Sequence, residues 1–316
     1  MIKKVFVTDY VLEKSIEKQI LGDFYSEDIN EDIEILLVWN QIINKDYLNQ
    51  FPKLKTIVRY GVGFDKIDVN AAKEKNLLVC NTPDYAMSEV SDTALAMLLS
   101  ITRGINIYDN NCRKNFNQWT SNTSIKEIKR SNQINIGVIG AGRIGSEFIK
   151  KSSMLGFNVH YFDPYIKNEI KSSKKINKLN QLLEISDVIS IHTPLTEETN
   201  AMIDESFLNQ MKKGSSIINT ARGKIIKSLD LIYEKMLKND IFCVGLDVLP
   251  EEPPKQNLLI NSWLNRDEIS SRIIINPHVS YYSVHSFEEC RQKASQNALN
   301  ILKGNEPINI VYDFRK

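Results

Sequence analysis

Residues 134–163, INIGVIGAGRIGSEFIKKSSMLGFNVHYFD, constrain the fold more than any other stretch of this 316-residue chain. Positions 134–139 are apolar and rich in β-branched residues, which suits a strand buried on both faces of a parallel sheet. Gly140, Gly142 and Gly145 then fall at G-x-G-x-x-G spacing where that strand would pass into a helix. Each glycine has its own task. Gly140 allows the tight turn, Gly142 allows a pyrophosphate to approach the backbone, and Gly145 allows the helix to lie close to the sheet. Ile144, Phe148 and Leu155 recur at helical spacing, and Gly156 is placed as the residue just past the helix end.

A second strand over 159–162 ends in Asp163. An acid at that point can accept hydrogen bonds from both ribose hydroxyls of an adenosine. A G-x-G-x-x-G alone could be a ligand-free turn. Here it follows a strand, opens a helix and meets an acid at the end of the next strand, which together specify a dinucleotide site. Asp163 repels a 2′-phosphate, and Pro164-Tyr165 supplies no arginine to receive one. The expected cofactor is therefore NAD and not NADP.

The bulk numbers set the outer limits. The length suits two domains better than one core. Hydrophobic residues make up 42%, charged residues 25%, and the formal net charge is +1. No basic excess draws the chain to nucleic acid or to an anionic membrane surface, so neither is expected as a partner. MIKKVFVTDY has no apolar core of the signal-peptide kind and is expected to be a first strand, and no apolar run approaches a membrane span. Cys80, Cys112, Cys243 and Cys290 are scattered, without a C-x-x-C pair or metal-ligand spacing. They point to a reducing compartment, with a cytoplasmic location and no metal expected.

Along the chain, strand and helix signals alternate. Strands are expected over 5–8, 35–39, 56–59 and 77–80, with helices near 12–21, 45–50 and 69–75, a βαβ series and hence a parallel sheet. This part has no phosphate fingerprint and is a partner domain. Within it, Arg59-Tyr60-Gly61-Val62-Gly63-Phe64-Asp65 places two glycines just past a strand end. Backbone N–H groups there could hold a carboxylate with Arg59 nearby, although a plain βα turn would look the same. A helix over 87–103, apolar nearly all round, is expected to be buried between the domains. The segment 106–133 is polar, and its isolated Trp119 calls for burial, as a second subunit would provide. Beyond Asp163 come helices near 179–184, 205–212 and 229–238 and strands over 188–191, 217–219, 242–246 and 272–275. A last helix over about 286–303 is long enough to return to the first domain.

In an open parallel sheet, ligands sit outside the carboxyl ends of the strands. Thr220-Ala221-Arg222, Asp247 and His278 all fall there, as Gly140 and Asp163 do, and so should border one crevice. An arginine, a carboxylate and a histidine beside a nicotinamide are what oxidation of a 2-hydroxy acid requires. The arginine holds the substrate carboxylate and polarises the carbonyl oxygen through a fork that lysine cannot copy. The histidine takes the hydroxyl proton and returns it in reduction, and the acid orients its ring. The chain has four histidines, His160, His192, His278 and His285. His278, after Pro277 at a strand end, is the best placed. The choice between Glu251 and Glu252 stays open on spacing alone.

With GVIGAGRIG, NTARG, GLDVLPEEP and NPHVS in this order, the chain resembles the D-isomer-specific 2-hydroxyacid dehydrogenase family over essentially its whole length. The resemblance implies that Arg222, Glu252 and His278 are the catalytic arginine, glutamate and histidine. It implies Arg143 and Ile144 over the pyrophosphate, Asp163 on the ribose, an adenosine-side loop with Thr193, Pro194 and Thr199, and Thr220, Ala221, Asp247 and His278 near the nicotinamide. It also implies that Val62 and Gly63, with Arg59, Arg222 and Tyr281, meet the substrate. RYGVGFDKIDVNAA and NPHVSYYS are most similar to the branch holding the C-terminal binding protein corepressors and phosphoglycerate dehydrogenase-like bacterial relatives. Tyr281 stands where those corepressors tend to carry tryptophan, so their substrate preference is not transferred. Leu249 replaces a usual phenylalanine. Glu252 stands where formate dehydrogenases of this superfamily use glutamine, which argues against formate. The regulatory domain of the longer phosphoglycerate dehydrogenases is not expected after residue 316.

The fold class implied is α/β: two doubly wound parallel-sheet domains, a Rossmann NAD-binding domain (104–283) inserted into a flavodoxin-like substrate-binding domain (1–103 and 284–316). The function implied is NAD-dependent interconversion of a small D-2-hydroxy acid and its 2-keto acid, with phosphoglycerate, glycerate/hydroxypyruvate or glyoxylate as candidate substrates, by a homodimer joined through the NAD domains. The competing class is an NAD(H)-sensing dimeric scaffold of the corepressor type.

Overall fold

The computed structural model describes residues 3–9, 13–114, 116–118, 124–267 and 269–315. Trp119 and Leu12, the start of the first expected helix, lie outside them. Strands are numbered in chain order: β1 Val5–Val7, β2 Tyr25–Ser26, β3 Ile35–Val38, β4 Thr56–Arg59, β5 Leu78–Cys80, β6 Asn135–Ile139, β7 Asn158–Phe162, β8 Lys174–Lys175, β9 Val188–Ile191, β10 Ser215–Asn219, β11 Ile241–Leu246, β12 Ile273–Ile275 and β13 Ile310–Asp313. The chain divides into two units, Met1–Ala86 with Tyr282–Lys316, and Met87–Tyr281.

The first unit holds a six-stranded sheet in the order β13-β5-β4-β3-β1-β2. β1 to β5 pair in parallel, as the βαβ rhythm requires, and β13 runs antiparallel to β5. Sequence reading misses β2, which is only two residues long, and β13, which follows the last helix near the chain end. β13 is delivered by Asn297, whose side-chain amide donates to the Ile308 carbonyl at 2.9 Å and whose oxygen accepts from the Ile308 N–H at 3.0 Å. Leu36, Val38, Ile57 and Val79 pack against Ile43, Leu48 and Phe51 to form one face of the core.

The second unit holds a seven-stranded, all-parallel sheet in the order β12-β11-β10-β9-β6-β7-β8. Successive strand residues feed opposite cores. Ile139 and Ile217 pack with Leu182, Phe207 and Ile232 on one face, while Val138 and Ile218 pack with Met97, Phe148 and Ile149 on the other. A sheet covered on both faces needs the near-continuous apolar strands that the sequence shows. The strand order reverses between β6 and β9, the topological switch point of a doubly wound sheet.

The helix Arg143–Met154 ends as its glycine foretells. Gly156 has φ +84°, and the Gly156 and Phe157 N–H groups return to the Ser153 and Ser152 carbonyls, which is a Schellman cap. The helix Met87–Thr102 departs from expectation in two ways. Sequence reading attaches 87–103 to the first domain, but this helix packs inside the second unit, with Met97 against Gly245 of β11. It is also buried along one stripe, Val90, Ala94, Met97, Leu98 and Ile101, and not all round, since Ala96 is exposed. Small residues elsewhere on the helix mimic full burial in a hydropathy pattern. Two further helices are not expected from the sequence: the mostly polar Ile105–Lys114, and the short apolar run Leu258–Asn265. No helix among the described residues is long and apolar enough to cross a membrane.

Candidate active site

The register of the seven-stranded sheet sets out the site. Phe162 pairs with Ile139, Ile139 with Ile191, Ile191 with Asn219, Asn219 with Leu246, and Leu246 with Ile275. The next residue on each strand therefore falls on one line at the carboxyl edge: Asp163, Gly140, His192, Thr220, Asp247 and Asn276. At about 4.8 Å per strand this line runs roughly 24 Å.

At one end of the line stands the glycine loop. Gly140 has φ +87°, and a Cβ there would lie 2.7 Å from the His192 carbonyl oxygen. A Cβ on Gly145 would lie 2.1 Å from the Gly140 oxygen. Both glycines are demanded by the protein itself. Gly142 differs. Its φ of −66° suits any residue, and a Cβ would meet no protein atom within 4 Å. It caps the helix Arg143–Met154 without a side-chain bond, so this helix start presents a partial positive charge to open space. Arg143 is exposed beside it and Ile144 half-buried.

Asp163 is 9% exposed. Its Oδ2 accepts from the Ala141 N–H at 2.8 Å, and its Oδ1 from the Tyr165 and Ile166 N–H groups at 2.9 and 3.2 Å. A carboxylate offers about four acceptor positions, so the acid has room for one more donor. In the loop after β9, Thr199 is turned inward, its hydroxyl donating to the Pro194 carbonyl at 2.7 Å and accepting from the Thr196 N–H at 2.8 Å. Its side chain shapes the loop. Thr193, by contrast, carries a buried hydroxyl with no partner.

At the other end the carboxylates and His278 come together. His278 adopts φ +55°, its N–H donates to the Asp247 carbonyl at 2.8 Å, and the buried Asp247 carboxylate accepts from the Val279 and Ser280 N–H groups at 3.0 and 3.1 Å. Asp247 thus clamps the turn that carries the histidine, a task its place after β11 does not announce. His278 Nδ1 lies 2.7 Å from Glu252 Oε2, and Glu252 Oε1 accepts from the Leu249 N–H at 3.0 Å. Glu251 pairs with Lys255 at 3.0 Å instead, so of the two acids it is Glu252 that touches the histidine. The His278 Nε2 forms no hydrogen bond among the described residues. Arg222 follows Ala221 past the end of β10, with Nη1 donating to the Ala221 carbonyl at 2.7 Å. Its neighbour Gly223 is a close approach. A Cβ there would sit 1.9 Å from the Leu249 oxygen, which fixes the Arg222 turn against the strand end leading to Glu252. Thr220 and Ser280 add two more buried hydroxyls without partners.

The remaining histidines are placed otherwise. Burial pushes His192 down to about 3, its ring against Phe148 with Nε2 2.8 Å from Ser190 Oγ. Burial, helped by Lys174, also lowers His160. Both stay neutral near pH 7, while His285 is exposed in the first unit. Of the expected substrate contacts, Arg59, Val62 and Gly63 follow β4 in the first unit, with Arg59 5.8 Å over the Trp39 ring and Val62 exposed. Tyr281 is half-buried at the end of the second unit. Among the described residues no three His, Cys, Asp or Glu gather as metal ligands would.

An edge with an open glycine, an uncapped helix start, a buried acid and unpartnered hydroxyls fits a dinucleotide, and this defines an NAD-binding α/β fold. A family model for the D-isomer specific 2-hydroxyacid dehydrogenase NAD binding domain matches residues 95–280. The chain belongs to the D-isomer specific 2-hydroxyacid dehydrogenase family. Among its relatives is a D-3-phosphoglycerate dehydrogenase of Methanocaldococcus jannaschii, 30% identical over 98% of this chain, of which the chain spans only 59%. A glyoxylate reductase of Thermofilum pendens is 30% identical over 90% of this chain and 82% of its own length. The crystal structure of an Aquifex aeolicus D-lactate dehydrogenase, complexed with NAD and lactic acid, matches with a TM-score of 0.84 at 28% identity, covering 98% of this chain and 99% of the other.

Proposed function

We propose that this chain interconverts a small D-2-hydroxy acid and its 2-keto acid with NAD as the redox partner. The observation that carries the proposal is the 2.7 Å contact between His278 Nδ1 and Glu252 Oε2 beside a dinucleotide-type edge. The nicotinamide, when bound, supplies or accepts the hydride. With Nδ1 committed to Glu252, Nε2 is left to take the hydroxyl proton in oxidation and to return it in reduction. The Glu252 carboxylate stabilises the imidazolium that forms between those two events. Arg222 holds the substrate carboxylate and the carbonyl oxygen, a task for a forked guanidinium. Arg59 and the Val62-Gly63 backbone supply further carboxylate contacts, with Tyr281 at the substrate side chain.

The pyrophosphate is held by the N–H groups at the start of the helix Arg143–Met154. Asp163 takes one ribose hydroxyl, and Thr193 and Thr220 supply hydroxyls along the edge. Glyoxylate, hydroxypyruvate and phosphoglycerate-type acids are the candidate substrates, the names of the relatives pointing the same way. We further read the chain as a homodimer joined through the NAD unit. The helix Ile105–Lys114 buries none of its residues, and Ile105 and Phe116 stand exposed. Four free cysteines, three of them buried, suit a reducing cytoplasm.

The test is a panel of 2-keto acids with NADH, run on the purified chain and on His278→Ala. Turnover on a small keto acid, lost in the variant, supports the proposal. Tight NADH binding with no turnover on any acid replaces it with the NAD(H)-sensing scaffold.

A further inference from the structure

The first unit contains a buried charge network that the proposed chemistry does not use. Glu17, on the helix Ser15–Leu21, is completely buried, and Arg291, on the helix Val284–Leu302, is 6% exposed. Arg291 Nε donates to Glu17 Oε1 at 2.9 Å and Nη2 to Oε2 at 2.6 Å, with a further Nη2 bond to the Glu13 carbonyl. The remaining contact to the carboxylate comes from Tyr60, whose hydroxyl donates to Glu17 Oε1 at 3.0 Å. Tyr60 is itself completely buried, and burial raises its phenol so that it remains a donor.

Tyr60 follows β4 directly, between Arg59 and Gly61. Its ring lies 5.8 Å from Trp39, and the Arg59 guanidinium sits 5.8 Å over that same Trp39 ring. Trp39 touches Phe287 at 5.2 Å, and Phe287 carries the Arg291 guanidinium 5.5 Å from its ring centre. Gly61 has φ +108°, and its missing Cβ leaves the space that Arg59 Nη1 occupies, 2.6 Å from where the Cβ would be. Arg59 is thus set between an indole and a glycine, and both of those neighbours are tied to the buried ion pair.

A buried ion pair is a poor means of holding two helices together, because apolar side chains of similar volume do so without desolvating charge. What it adds is direction, since a forked guanidinium fixes a carboxylate, and the carboxylate fixes the phenol.

We propose that Glu17, Arg291 and Tyr60 are positioning residues that set Arg59 and the 61–63 backbone for the substrate carboxylate, ordering this contact before any acid binds. This rests on the proposed role of Arg59, Val62 and Gly63, and the test separates the two. Steady-state kinetics with NADH and glyoxylate or hydroxypyruvate are compared for the unmodified chain, Arg59→Ala, Tyr60→Phe and Arg291→Lys. Tyr60→Phe deletes one hydroxyl and keeps the ring. Its KM for the keto acid should rise about three- to ten-fold, the equivalent of one hydrogen bond. Its kcat and its KM for NADH should stay within about two-fold of the original. Arg291→Lys keeps the charge, loses the fork and should move the same constant in the same direction.

A keto-acid KM raised by Arg59→Ala but untouched by Tyr60→Phe and Arg291→Lys overturns the positioning role and leaves the substrate contact standing. Equal changes in all three constants for Tyr60→Phe also overturn it, since that is general softening. No response to Arg59→Ala removes the substrate contact and the positioning role together.

Discussion

At the carboxyl edge of the seven-stranded sheet, Thr193, Thr220 and Ser280 carry buried hydroxyls with no partner, whereas several polar groups at the same edge of the six-stranded sheet bond within their own unit. There Asp9 accepts from the Trp39 and Asn40 N–H groups, the Thr82 hydroxyl donates to the Arg59 carbonyl at 3.0 Å, and Asn81 donates to the Val62 carbonyl at 2.8 Å. An unsatisfied buried hydroxyl costs on the order of 1–3 kcal/mol, and the second unit bears that cost repeatedly along one line. The contrast separates two kinds of binding surface. One is unfinished until a polar ligand completes it. The other is finished in advance and offers a rigid backbone.

The largest effect that bears on this contrast is expected at His278. His278→Ala should lower turnover by about 10²–10⁴-fold while NADH affinity, measured by fluorescence titration, changes little. Equal loss of both would mean that the histidine serves the dinucleotide half of the edge and not the proton. The next effect separates two glycines in one motif. Gly145→Ala forces a Cβ to 2.1 Å from the Gly140 oxygen and should cost about 1–3 kcal/mol of stability or more. Gly142→Ala, in open space, should keep its melting temperature and lose NADH affinity by about ten-fold, roughly one hydrogen-bonded approach to the pyrophosphate. A stable Gly142→Ala chain that binds NADH normally would mean that the pyrophosphate does not pass over Gly142. Smaller again, Asp163→Ala should weaken NADH and raise the ratio of NADPH to NADH use; an unchanged ratio removes the acid from cofactor choice.

Much of the second unit is written in local sequence. The strand–glycine–helix run over 134–163 fixes β6, the helix Arg143–Met154 and β7 to within a residue or two, because each signal is a short-range steric demand. The carboxyl-edge line is equally legible, since parallel register converts strand ends into neighbours. Other features required coordinates. Asp247 and the histidine turn are 31 residues apart by number yet meet through backbone N–H groups, and no pattern of residue types foretells a bond to a main chain. Gly223 looks like the end of a motif, and its true constraint is the Leu249 carbonyl pressed against it. In the first unit, Glu17 and Arg291 are separated by 274 positions, and each reads as an ordinary surface charge on an amphipathic helix. Hydropathy likewise hides the helix Ile105–Lys114, whose residues are mostly polar.

The smallest expected effect uses pH to tell the units apart. His192 lies behind the glycine loop, where burial holds it at about 3 against an ordinary value near 6.5. Its folded-state affinity for a proton is depressed, so its contribution to stability is complete above about pH 6.5 and is lost as pH falls toward 3. Between about pH 6.5 and 5 most carboxylates have yet to titrate, and the first unit's one histidine, His285, is exposed. The loss in that window therefore falls on the second unit. Melting temperature recorded from pH 7.5 to 5 should decline for the unmodified chain and decline less steeply for His192→Gln, although the variant, without the ring against Phe148, starts lower. NADH affinity should hold over the same window, because the folded His192 ring behind Gly140 is still neutral at about pH 5 and the proton is taken up only by the unfolded chain. Parallel slopes in the two proteins would mean that the imidazole reaches water, and that the dinucleotide edge is less sealed from behind than the buried ring implies.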